Sequence, residues 1–277
     1  MNKVICPVDF SDVSRVALQV AAKIAVDANV ELIALHIANV PLKDLGGHSY
    51  EPFVLEDSMK SEEAMLKDWI KQLPLDQSIL TYKVIIKNGF LLEELSELGD
   101  RSSLIVSGSS GSHDFVNKLM GSLTSDIFFK GVSPVLIIPK SFQHKSFQNI
   151  CFATDLMAPP QGDVKGVLQL ANSWAAHISF LSVMDNTKKI DIESVEQAFV
   201  HQYLKDAHNS NTSFHLNQAS NPVQGIKHFM EKNKTDLLVL THRDRSFWEG
   251  LFQKSTTGEF IWHTEVPLLL FHHVVEK

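Results

Sequence analysis

KVICPVDF, residues 3–10, is answered by NICFATDL, residues 149–156, and the reading of the fold turns on that echo. Each is a short apolar run that ends on an acidic residue, Asp9 or Asp155. Beyond the first run, Val13, Val16, Ala17, Val20, Ala21 and Ile24 recur every three or four residues and make one apolar face of a helix. VELIALHI (30–37), YKVIIK (82–87), SLIVSG (103–108) and PVLIIP (134–139) have strand length, while residues 58–73, 91–98 and 123–129 carry helical period. Strands that alternate with helices in this way read as βαβ units of a parallel sheet.

The order then begins again. ISFLSV (178–183) answers LIALHI (32–37), and TDLLVL (235–240) followed by VPLLLF (266–271) answers SSLIVS (102–107) followed by SPVLII (133–138). Asp155 lies 146 positions after Asp9 and Pro267 lies 133 after Pro134, so the register slips only by loop-length changes. The reading is two tandem domains, 1–140 and 148–277, joined by the polar, aperiodic KSFQHKSFQ (140–148). Each has the order βαβαβαβαβ and is expected to wind into a five-stranded parallel α/β sheet with helices on both faces. The two copies are expected to pack as an intramolecular pseudo-dimer, with PVLIIP and VPLLLF as candidate contact edges; a homodimer stays open.

Ligands of such sheets bind beyond the carboxyl ends of the strands. There, directly after SLIVS, stands GSSGSHDFVNKLMGS, residues 108–122, with three of the chain's 13 glycines. Glycine lets another group approach the main chain closely, and successive N–H groups of such a loop can line an anion-binding concavity. Gly121 and Ser122 then introduce a helix, whose free N–H groups and positive dipole end favour phosphate. Neither G-x-G-x-x-G nor G-x-x-x-x-G-K-[ST] occurs, which removes the main support for dinucleotide and Walker-type readings. Taken singly, Gly108 and Gly111 read as turn residues and Ser122 as an ordinary helix cap.

G-x-x-G, nine residues, then G-S, after the fourth strand of a domain whose first strand ends in PVDFS, resembles the ATP-binding universal stress proteins, in tandem over the whole chain. The resemblance implies a Rossmann-like, adenine nucleotide α-hydrolase-like fold, binding of ATP with or without Mg, weak or absent hydrolysis, and a regulatory role in stress survival. Carried over residue by residue, it implies that Pro7, Val8 and Asp9 face the adenosine and that Ile37 packs on the base. Gly108, Ser109, Ser110 and Gly111 would wrap the phosphates, with Gly121, Ser122 and Leu123 completing the site. Asp9 reads equally as a cap for the helix that begins near Ser11.

The second copy departs from the motif. An offset of 133 puts Thr241, Asp244, Lys254 and Ser255 where the first copy has Gly108, Gly111, Gly121 and Ser122, so all three glycines are lost and this copy is expected to be degenerate. A slow ATP-hydrolysing or adenylate-transferring enzyme and a ligand-free interaction scaffold are the competing readings. The first would need an activated attacking group and metal-binding carboxylates around the phosphates, and near the loop only Asp114 offers one. No catalytic residue is assigned. The 13 histidines include no HExxH pair and read as scattered surface or core residues, with no metal site assigned. Net charge −7 argues against a nucleic-acid partner, and the apolar runs are too short for a membrane span. The amino terminus lacks the pattern of a secretion signal, and two cysteines in apolar runs imply no disulfide framework, so a cytoplasmic location is expected, with the protein partner unknown.

Overall fold

The computed structural model describes residues 1–38, 52–76, 78–109, 133–143, 146–154, 161–184, 191–204, 211–219, 221–242 and 265–272. They divide into two compact units, Met1–Ser133 and Pro134–Lys277.

The first unit runs β1 (Lys3–Pro7), α1 (Asp12–Ala28), β2 (Glu31–Ile37), α2 (Pro52–Lys71), β3 (Tyr82–Lys87), α3 (Leu91–Leu98) and β4 (Ser103–Gly108). Its strands lie in the order β3-β2-β1-β4, with β1 parallel to both β2 (Pro7↔Leu35) and β4 (Ile5↔Ile105). Val4, Ile5 and Cys6 are fully buried, as expected of a strand covered on both faces. Burial also pushes the Cys6 and Cys151 thiols far above their ordinary pKa.

Helix α1 buries Val13, Ala17, Val20, Ala21 and Ile24 as the sequence period predicts, but Leu18 is buried and Val16 only half-buried, so the stripe is rotated slightly from the predicted one. The helix stops at Asn29, whose left-handed backbone (φ 52°, ψ 52°) returns its N–H to the Ala25 and Val26 carbonyls. Helix α2 starts at Pro52, before the predicted 58. The predicted helix over residues 123–129 lies outside the described residues.

The second unit holds β5 (Val135–Ile138), β6 (Asn149–Ala153), α4 (Gln161–Trp174), β7 (His177–Met184), α5 (Ile192–Phe199) with a π-helical continuation (Val200–Leu204), β8 (Thr212–Gln218), α6 (Pro222–Asn233), β9 (Leu237–His242) and β10 (Leu268–His272). Its strand order is β5-β10-β9-β6-β7-β8. The pairs within β10-β9-β6-β7-β8 are parallel, whereas β5 runs antiparallel to β10, with Leu268 opposite Ile137. By its contacts, the last strand of the first repeat therefore belongs to the second unit. All four of its residues are buried, and pairing removes from β10 an apolar edge that would otherwise recruit other strands. The stretch read as a polar linker is partly core: Phe147 is 4% exposed, stacked by Phe142 and tilted against Trp174 at 4.8 Å.

Strand β8 was not singled out as an apolar run, because its sequence, TSFHLNQ, alternates. One face of it turns Phe214 to Phe180 and Phe199. The other carries a polar chain: His177 Nδ1–H donates to Asn211 Oδ1 (2.9 Å), and Ser213 Oγ hydrogen-bonds with both His177 Nε2 (2.9 Å) and His215 Nε2 (2.8 Å).

Burial, reinforced by His177 and Lys232 and opposed by Glu196, holds the His215 imidazole below its ordinary pKa of 6.5. A histidine whose folded pKa is depressed takes up its proton more readily when unfolded, so its contribution to stability is present above pH 6.5 and is lost as pH falls below it. We expect the denaturation midpoint of the second unit to drop between about pH 7.5 and about pH 5.5, and His215→Gln to remove part of that drop; an equal drop in the variant would contradict this account.

Candidate functional site

The parallel register of the first unit sets its carboxyl ends level. Pro7 lies opposite Leu35, and the strands continue so that Asp9 and Ile37 reach the same rim. Val8 N–H donates to the Leu35 carbonyl (2.8 Å) and Ala38 N–H to the Lys87 carbonyl (2.8 Å), which carries the pairing to the strand ends. On the other side of β1, β4 ends at Gly108, followed by Ser109. Pro7, Val8, Asp9, Ile37, Gly108 and Ser109 thus come to one rim. Val8 and Ile37 are buried, and Asp9, Gly108 and Ser109 half-buried. Ser110, Gly111, Gly121, Ser122 and Leu123 lie outside the described residues.

Asp9 organises the start of α1. Its Oδ1 accepts from both the N–H (3.0 Å) and the Oγ–H (2.6 Å) of Ser11, and Ser11 Oγ in turn accepts from the N–H of Ser14 as the helix N-cap. The reading of Asp9 as the helix cap is thereby corrected: Ser11 is the N-cap, and Asp9 holds Ser11 in place. A carboxylate has about four lone-pair sites, so this duty and a ligand contact are compatible.

Between Asp9 and Ser11, Phe10 has a left-handed backbone, φ 62°. For a bulky residue this conformation costs on the order of 1 kcal/mol or more and persists where surroundings hold it. Here the ring packs on His36 (centroids 4.7 Å) and edge-on to Trp69 (5.3 Å), and the Arg15 guanidinium lies over Trp69 at 4.6 Å. His36 is pinned as well, its Nδ1–H donating to the Val8 carbonyl (2.6 Å) and its Nε2 facing Glu62 at 3.6 Å. Sequence reasoning missed this cluster. The signal available was a histidine inside the apolar run LIALHI, one strand away from the PVDFS stretch.

Gly108 has a packing reason of its own. A Cβ placed there would stand 2.5 Å from Val13 Cγ1, too close for any side chain. The missing side chain lets the first turn of α1 sit against the end of β4, which brings the helix N-terminus and the strand end together at the rim. In the second unit the same place is built differently. Thr241, which replaces Gly108, is 4% exposed, and its Oγ–H donates to Asp163 Oδ2. Asp163 is a buried residue in the first turn of α4, where α1 has Val13. A buried hydrogen bond stands in for the glycine and valine contact. Asp155, Asp244, Lys254 and Ser255 lie outside the described residues.

Among the described residues no group of three or more His, Cys, Asp or Glu is placed to hold a metal ion, and no helix is long and apolar enough to cross a membrane.

A parallel sheet in the order β3-β2-β1-β4 with helices between its strands is a Rossmann-like domain. The profile of the universal stress protein family matches residues 1–139, and the chain belongs to that family. Solved structures similar to it along its length include a universal stress protein from Archaeoglobus fulgidus DSM 4304, 18% identical over 100% of this chain and 98% of that one, TM-score 0.67. A putative universal stress protein from Pseudomonas aeruginosa UCBPP-PA14 is 10% identical over 98% and 93% of the two chains, TM-score 0.58. The cytoplasmic domain of a prokaryotic cation chloride cotransporter is 14% identical over 97% and 94%, TM-score 0.52. Comparison with curated proteins gave no match. At these identities the solved structures establish the fold alone.

Gly108→Ala should destabilise the first unit by about 1–3 kcal/mol through overpacking. Val13→Ala in the same chain should recover part of that loss, so that the double-mutant cycle read by denaturant unfolding shows coupling; additive effects would mean the two residues do not meet.

Proposed function

We propose that the first unit binds ATP, with or without Mg, at the carboxyl rim of β1, β2 and β4, that the second unit does not, and that the protein is a cytoplasmic regulator of stress survival rather than an enzyme. Family membership supports the class of ligand. The observation that carries the reading is the convergence of Pro7, Val8, Asp9, Ile37, Gly108 and Ser109 at one carboxyl rim of the first unit, with the half-buried Asp9 and the apolar Ile37 on neighbouring strand ends.

The described residues fit the adenosine end of the nucleotide. Ile37 offers an apolar wall at the end of β2, and the half-buried Asp9 is an acceptor suited to ribose hydroxyls. The strained Phe10 beside it agrees with a ligand site, since such backbone is concentrated where function over-determines it. The triphosphate would be met by main-chain N–H groups of residues 108–111 and by the helix start at Gly121 and Ser122, which suits a chain of net charge −7 that lacks a Walker lysine. This assignment of residues, and the division into a binding domain (1–140) and a degenerate one (148–277), are proposals on the same footing. So is the intramolecular pseudo-dimer.

Calorimetric titration of the full chain with ATP, with turnover followed by phosphate release, tests the reading. We expect one ATP per chain and negligible hydrolysis. Gly121→Lys, which introduces what the second repeat has at that position, should weaken binding at least about tenfold, the equivalent of about 1.4 kcal/mol. Sustained turnover would favour the slow enzyme, and no affinity would favour the ligand-free scaffold. Unchanged binding in the variant would refute the assignment of the glycine loop.

A further inference from the structure

In the second unit a cavity of about 700 Å³ opens between β8 and α6, reaching from Met184 and Gln218 at the carboxyl ends of β7 and β8 to Asn233 at the end of α6. Its size falls within the range of small-molecule sites, roughly 300–1,000 Å³. Its origin is a local packing choice. Helix α6 is drawn tightly onto β7 at Gly225, where a Cβ would lie 2.6 Å from Val183 Cγ1. Strand β8, beyond β7 and last in the sheet, is left with a partly uncovered face.

The lining has a definite chemical character. His228 and Lys232, four residues apart on α6, share one side of the helix and border the cavity, as does His215 on β8. The floor is apolar, with Phe229 held against the His215 ring (centroids 4.8 Å). None of the described lining residues is acidic, in a chain with 32 acidic residues. On the same helix Lys227 pairs with Glu231 at 3.9 Å, but among the described residues neither Lys232 nor His228 has a carboxylate partner.

We propose that this cavity binds a small organic anion, a carboxylate or phosphate ester with an apolar body, its charge against Lys232, with His228 beside it as a hydrogen-bond donor, and its body against Phe229. The site belongs to the second unit alone and does not rest on ATP binding by the first. The amide side chains of Asn217 and Gln224 add hydrogen-bonding capacity around the charge. The exposed position of Lys232 keeps its desolvation cost low, so the attraction is retained at moderate ionic strength and screened at high salt.

The full chain, labelled with 13C and 15N in histidine, would be titrated with phenyl phosphate, phenylacetate and the neutral benzyl alcohol. His215 and His228 are assigned by the loss of their signals in His215→Gln and His228→Gln. We expect both resonances to move saturably with the two anions, and benzyl alcohol to bind about tenfold more weakly or not at all. Lys232→Glu should weaken phenyl phosphate about tenfold or more while leaving the unfolding midpoint and ATP affinity unchanged; Lys232→Gln should fall between. Comparable binding of the alcohol, no saturable movement of the two histidines in the millimolar range, or undiminished affinity in Lys232→Glu would each overturn the proposal. Because ATP titration reads the first unit, failure here leaves the nucleotide reading standing, and the reverse also holds.

Discussion

The contact between the first turn of α1 and the end of β4 governs the arrangement of the first unit's rim. A strand end and a helix start can meet only if one of them gives up volume, and in this chain Gly108 does so in favour of Val13. The consequence reaches past packing. With the helix seated there, Ser11 stands as its cap, Asp9 is held by Ser11, and Phe10 must pass between them with a left-handed backbone. Three neighbouring residues are thus committed to one geometry by the absence of a side chain about a hundred positions away.

The second unit shows another solution to the same steric problem. Thr241 and Asp163 exchange an apolar contact for a buried hydrogen bond, and the helix still closes on the strand end. Breaking either member would leave a buried polar group without its partner, a larger penalty than the bond itself contributes. Equivalent positions in tandem copies can therefore diverge only in pairs, which makes the loss of glycine and the gain of aspartate a single event in structural terms.

Much of the fold was readable because parallel strands buried on both faces leave continuous apolar runs. YKVIIK and SLIVSG match β3 and β4 residue for residue, and the helical period of 91–98 matches α3. Strand β8 was hard to see because it lies last in the sheet and alternates Phe214 and Leu216 with Ser213 and His215. The antiparallel seat of β5 carries no local signature, since four apolar residues fit either direction. At the rim, PVDFS and Gly108 could be picked out, but the reason for Gly108 could not, because Val13 is adjacent only after folding. The cluster of Phe10, His36 and Trp69 was invisible for the same reason: its members lie on three elements, and each alone looks like an ordinary core or surface residue.

The short stack of Phe142 on Phe147, and Phe147 on Trp174, bears on how the chain can be divided. A recombinant carboxyl-terminal half begun at residue 148 would lose the ring that shields Trp174, and with it the strand that covers Leu268–Leu270. Begun at Pro134, it would keep both. The place where the sequence repeats and the boundary between the two compact units are about fourteen residues apart, close to one span of chain long enough to carry a β strand and its return.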